Sequence, residues 1–127
     1  MLGDHDPVAT VAVSDLQRAQ RFYENTLGLE RVDVQGGEAI TYRSGASRLL
    51  VYRSQFAGTN KATSVTWLVG DEVDQLVKSL EKKGVKFEDY DMPGMTRQGH
   101  VHSAGGTRVA WFKDPDGNIH SLVSEGA

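Results

Sequence analysis

Cysteine is absent from the 127 residues, which removes disulfides, thiolate nucleophiles and thiolate metal sites at once. Histidine is the other side chain that most readily ligates metals or moves protons near neutral pH, and there are four: His5, His100, His102 and His120. His100 and His102 have one residue between them, so on a strand they share a face and offer half of a metal site. Their surroundings, MPGMTRQGHVHSAGG, are rich in glycine and polar residues, and a solvated polar loop is the favoured reading. His5 lies in a segment expected to fray. Serines occur, but no spacing specifies a Ser–His–Asp triad. Glu38 and Glu88 have no visible partner and receive no role.

Composition limits what these residues can serve. At 127 residues with 39% hydrophobic and 24% charged side chains, one globular domain spanning 1–127 is expected. The net charge of −3 comes without a Lys/Arg cluster, so no nucleic-acid partner is expected. The opening MLGDHDP has no basic-then-apolar pattern, and no apolar run reaches membrane-spanning length. A cytoplasmic protein with no membrane partner is the expectation.

The elements repeat. Residues 7–14 read as a strand, and Ser14 with Gln17 forms a capping-box pattern for a helix. Leu16, Ala19, Phe22, Tyr23 and Leu27 make its apolar stripe, and Gly28 ends it. Extended pieces follow at 29–34, 38–43 and 48–53. The pattern then restarts: a strand at 62–69, a helix capped by Asp71 with Val73, Leu76, Val77 and Leu80 inward, Gly84 as its stop, and strands at 85–90, 108–112 and 118–123. Asp15 to Gly28 and Asp71 to Gly84 each span 13 residues, and Val13-Ser14-Asp15 aligns with Val69-Gly70-Asp71 at an offset of 56. Each half is strand, helix, strand, strand, strand, with modules at about 7–54 and 62–124. A sheet covered by a helix on one face only leaves its other face in need of a partner. Residues 90–106 join two strands as a long Gly-rich loop, of the kind that often forms lids or binding loops.

Three segments, VAVSDLQRAQRFYENTLGLE at 11–30, GDEVDQLVKSLEKKGVKFE at 70–88 and AWFKDPDGNIHSLV at 110–123, resemble the vicinal oxygen chelate superfamily of glyoxalases, bleomycin-resistance proteins and extradiol dioxygenases. The resemblance implies an α+β fold of two tandem βαβββ modules, with curved mixed sheets around a cleft. It also implies a homodimer in which halves of two chains complete each cleft. Catalytic members hold a divalent metal on first and last strands, and those positions fall here at Val8, Ser64, Ser121 and about Leu49. Val8 and Leu49 cannot ligate, and neutral hydroxyls are poor ligands beside histidine or carboxylate. No metal and no cofactor are therefore expected.

If those four positions face the cleft, alternation adds Thr10, Ala12, Val51, Arg53, Thr66, Leu68 and Val123. Thr10, Leu49, Val51, Arg53, Ser64, Thr66 and Ser121 are the candidate ligand-binding residues, with Arg53 available to an anionic group. Alternation turns His120 and Trp67 toward the helix side, while the register of Trp111 stays open. The expected function is metal-independent binding of an apolar or aromatic small molecule. The alternative is a metal-dependent lyase, isomerase or dioxygenase of the same superfamily, with His100 and His102 as its main support.

Overall fold

The computed structural model describes residues 1–125; Gly126 and Ala127, inside the expected domain span, lie outside the described residues. The chain divides into two compact units, Met1–Gly58 and the remainder from Thr59. Each is a sheet with a helix on one face, and together they form the mixed α+β arrangement expected.

In the first unit β1 (Ala9–Val13) leads through α1 (Leu16–Gln20) to β2 (Glu30–Gln35), β3 (Ala39–Ser44) and β4 (Ser47–Arg53). The sheet order is β1-β4-β3-β2, with β1 parallel to β4 and the other pairs antiparallel. The helix cap is one residue later than expected. Asp15, not Ser14, is the N-cap, because its carboxylate accepts from the backbone N–H of Gln17 and of Arg18 and also suits the positive end of the helix. Past Gln20 the helix widens into a π-helical turn, Arg21–Thr26, and Gly28 follows at φ +79°. Tyr23 stacks on Tyr42, and both are fully buried. The buried Tyr42 hydroxyl donates to Glu24 at 2.9 Å, and Glu24 also accepts from Arg31 at 2.9 and 3.1 Å. Burial works against the Glu24 charge, but the hydrogen bonds from Arg31 and Tyr42 outweigh it and hold the carboxyl below its ordinary range.

The second unit runs β5 (Thr63–Leu68), α2 (Val73–Lys82), β6 (Lys86–Glu88), β7 (Thr96–Gln98), β8 (Val101–Ala104), β9 (Thr107–Lys113) and β10 (Ile119–Val123). The order is β5-β10-β9-β8-β7, and β6 pairs with β9 beyond the end of β8. Two expectations change. Asp71 falls in a 3-10 turn, Gly70–Glu72, and Glu72 is the N-cap residue of α2 without a side-chain cap. Residues 90–106, expected to be one long loop, contain the β7–β8 hairpin, because Gly99 at φ +61° makes a two-residue turn with His100. The core lies on the α2 side: Val73, Val77 and Leu80 of the helix, with Phe112, Ala110, Leu122 and the imidazole of His120 from the sheet, are all buried.

The link between β9 and β10 is built by one side chain. Asp114, 5% exposed, accepts from the backbone N–H of Asp116 and Asn118 and from the Asn118 side-chain amide, at 3.0, 2.8 and 2.8 Å. Gly117 completes the turn at φ +91°, where a side chain would be strained. Asp114→Ala leaves these donors unanswered in a buried place, so it should cost about 2–4 kcal/mol of stability. A urea titration checks this, and a loss under about 0.5 kcal/mol contradicts the assignment.

Candidate functional site

Strand pairing sorts the second unit's side chains onto two faces. Cross-strand partners share a face, so the pairs Thr66↔Ser121↔Trp111 and Leu68↔Val123↔Val109 lie on one side. Glu88↔Trp111 and His102↔Val109 join them there. The opposite side carries Phe87↔Phe112↔His120, and it also carries Arg108, whose guanidinium meets Asp74 of α2 at 2.9 Å. The first set therefore faces away from α2.

On that face Thr66 Oγ1 and Ser121 Oγ share a hydrogen bond of 2.8 Å. Beside them is an aromatic group. Trp111 meets Tyr90 and His102 edge-to-face, with ring centroids 5.0 and 4.9 Å apart. His102 is fully buried; its Nε2 accepts the Tyr90 backbone N–H at 2.9 Å, and its Nδ1 lies 3.3 Å from the Val109 carbonyl. The tautomer with the proton on Nδ1 satisfies both contacts. Glu88 and Lys113 pair at 3.2 Å along the same face. Leu68 is 59% exposed and Thr66 and Ser64 are exposed, so this side offers apolar surface, two hydroxyls and a half-buried indole.

The structure brings together Ser64, Thr66 and Ser121 of the expected ligand-binding residues, with Ser64 at a register shift between β5 and β10. The first-unit residues divide between the two faces of their own sheet. Leu49 and Val51 pair with Ala9 and Val11 and are 3% and 0% exposed in the core beneath α1. Thr10 pairs with Leu50 on the other side and stays exposed. The register expected for β4 is thus displaced by one residue, and a one-residue slip exchanges faces; burial of Leu49 and Val51 is the reason the chain settles this way. Arg53 is engaged by Glu38 at 2.8 and 3.4 Å, which also gives Glu38 the partner it lacked in the sequence. Glu88 likewise finds Lys113.

His100 and His102 do not share a face. His100 occupies the β7–β8 turn, where strand alternation does not apply, and its ring stacks on Phe87 while His102 meets Trp111. Trp67 and His120 do turn to the α2 side, Trp67 stacked on Phe112 and His120 edge-to-face with both rings. Tyr90, His102 and Trp111 were missed as a group. The signal for Trp111 was the length of the Asp114 turn, which sets Trp111 opposite Ser121.

The donors do not fit a divalent cation. Ser64, Thr66 and Ser121 offer neutral hydroxyls, two of them bonded to each other, and His102 has both ring nitrogens committed. Among the described residues, no group of three or more His, Asp or Glu side chains gathers as a ligand set. No helix among them is long and apolar enough to cross a membrane.

Residues 6–121 match the family described as the Glyoxalase/Bleomycin resistance protein/Dioxygenase superfamily. No curated protein matches at the level of sequence. Among solved structures, a lactoylglutathione lyase from Agrobacterium tumefaciens is 20% identical, covering 94% of this chain and 92% of its own at a TM-score of 0.70. A fosfomycin resistance protein, FosX, from Mesorhizobium loti is 14% identical, with 97% and 93% covered at 0.69. A glyoxalase family protein from Enterococcus faecalis is 18% identical, with 97% and 99% covered at 0.72. At these identities the likeness is one of fold.

His120 makes the site's rear wall pH-dependent. Burial pushes its imidazole down to about 4, with Asp114 opposing. A histidine held below its ordinary value destabilises the fold as pH falls from about 6.5 toward 4, because the unfolded chain takes the proton first. Wild type should lose about 2 kcal/mol more than His120→Leu between pH about 7 and 5, read from denaturant midpoints; equal losses contradict the buried neutral imidazole.

Proposed function

The chain belongs to the Glyoxalase/Bleomycin resistance protein/Dioxygenase superfamily, and from that premise we propose that it binds a small aromatic or apolar molecule without a divalent metal. The ligand lies on the face of the second unit turned away from α2. The observation that carries the reading is the Thr66–Ser121 hydroxyl pair beside the Tyr90–His102–Trp111 group. Hydroxyls stand where a metal-dependent member of the superfamily would need strong donors.

The side chains suit such a ligand. Trp111 offers a π-face and a large apolar area. Exposed Thr66 can exchange its hydrogen bond to the buried Ser121 for one to a ligand, which gives orientation without a charge. Tyr90 and His102 hold the indole in place, so little ordering is left to do on binding. Ser64 extends the hydroxyl row at the sheet edge. Thr10 belongs to this proposal only as an exposed residue of the first unit, whereas Leu49 and Val51 act through packing and Arg53 through Glu38. A cytoplasmic homodimer is part of the same reading, and sedimentation equilibrium checks the dimer.

Protein incubated with Ni, Zn, Mn and Fe(II) and then dialysed should retain less than about a tenth of an equivalent of metal per chain. A panel of planar aromatic compounds should contain members that raise the melting temperature of wild type. At a hundredfold excess over Kd the stabilisation is about 2.7 kcal/mol. The gain should be lost in Trp111→Ala and kept in Lys82→Gln, an exposed position on α2. One equivalent of retained metal, removed by Ser121→Ala or His102→Ala, overturns the proposal in favour of a metal-dependent lyase, isomerase or dioxygenase.

A further inference from the structure

His100 lies outside the proposed binding face, in the turn of the β7–β8 hairpin. Its ring lies against Phe87 on the α2 side, with centroids 5.6 Å apart. Its Nδ1 is 2.7 Å from Asp89 Oδ1, and its Nε2 is 3.2 Å from Glu81 Oε2 of α2. One imidazole therefore bridges the helix, the chain leaving β6 and the β7–β8 turn. Asp89 is followed by Tyr90, whose backbone N–H is held by His102 and whose ring touches Trp111. Two consecutive residues are thus tied to the same hairpin from opposite faces, Asp89 by His100 and Tyr90 by His102.

We infer that His100 is a positioning residue: its proton fixes Asp89 to the hairpin and Glu81 to the turn, and so holds Tyr90 against Trp111. The inference rests on the binding face proposed above and adds its regulation by pH. A neutral imidazole has a single N–H and can donate to only one of its two carboxylates, whereas the imidazolium donates to both. Charges of both signs surround it. Glu81, Lys78 and Asp74 (itself paired with Arg108) face the groove from α2, Asp89 stands on the chain after β6, and Arg97 of β7 lies 3.4 Å from Asp89 and 3.9 Å from Asp91; the carboxylates favour the proton, the cations Lys78 and Arg97 oppose it, and the two carboxylates bonded to the ring are the nearest. The hydrogen bond to Asp89 raises the His100 imidazole above its ordinary value, against the opposing effect of burial, with Glu81 adding to the rise. The same bond holds Asp89 below its ordinary range. With the histidine raised, the bridge is complete below about pH 6.5 and is lost as pH climbs through the raised value.

Two measurements test this. The first needs no ligand. Proton–nitrogen spectra follow the Tyr90 amide and the Trp111 indole N–H from about pH 5.5 to 8.5, alongside the His100 ring resonances. Both signals should titrate with the His100 midpoint in wild type and lose that inflection in His100→Gln, while Glu81→Gln lowers the midpoint. Flat Tyr90 and Trp111 signals through a measured His100 titration overturn the inference. The second uses 8-anilinonaphthalene-1-sulfonate as an aromatic probe. Its affinity should fall by about threefold, the scale of one exposed ion pair, between the two ends of that range in wild type and stay level in His100→Gln. Equal falls in both proteins count against the positioning role. Probe binding that Trp111→Ala leaves untouched, with the first measurement positive, instead counts against the binding face and leaves the role of His100 standing.

Discussion

The carboxylate of Asp114 gathers three N–H groups from the four residues after it, and this closed turn fixes how β9 meets β10. Everything placed on the second sheet depends on that register. With Lys113 opposite Ile119, Trp111 falls opposite Ser121 and Phe112 opposite His120. A turn one residue longer or shorter would reverse the faces, sending the indole into the α2 core and His120 out of it. Pro115 cannot donate a backbone hydrogen bond and presets its own φ, and Gly117 supplies the positive φ that closes the loop. The turn thus chooses which residues lie on the face proposed to meet a ligand.

From that register the second unit separates two kinds of chemistry. On the α2 side, aromatic rings enclose His120 and keep it uncharged near neutral pH. On the other side the hydroxyls of Thr66 and Ser121 sit with Trp111, and the remaining charges are matched, Glu88 by Lys113. The first unit repeats the plan with a different anchor. There the buried Tyr42 hydroxyl reaches Glu24, and Arg31 neutralises it. The duplication extends to the architecture and not to the polar interior.

The fold was legible because its signals are local. Gly28 and Gly84 and the apolar stripes of both helices act within a few residues of themselves, and the strands of the first unit fall within a residue or two of their expected limits; the cap of the first helix reads one residue early, at Ser14 instead of Asp15. The proposed binding face was legible only in part. Ser64, Thr66 and Ser121 could be placed by counting along strands that run straight from recognised motifs. Leu49 and Val51 could not, because the register of β4 against β1 is decided by which side chains the core of the first unit takes, a non-local choice. His100 does lie in a turn, as the loop reading had it, and that turn at Gly99 interrupts the alternation that would have paired it with His102; His102 departs from that reading, fully buried on β8. Tyr90 and His102 lay within a stretch that reads as a loop; the β7–β8 hairpin there is stabilised by pairing with β9, which no local pattern announces.

The central claim is that an aromatic ligand meets the Trp111 side of the second sheet with no metal present. Proton–nitrogen shift mapping with a stabilising aromatic compound, in chelator-treated protein, tests it most directly. A ligand on this face gives shifts concentrated at Thr66, His102, the Trp111 indole and Ser121. Shifts confined to Val77, Lys78 and Val101 on the α2 side, or appearing only once a divalent cation is restored, would contradict it.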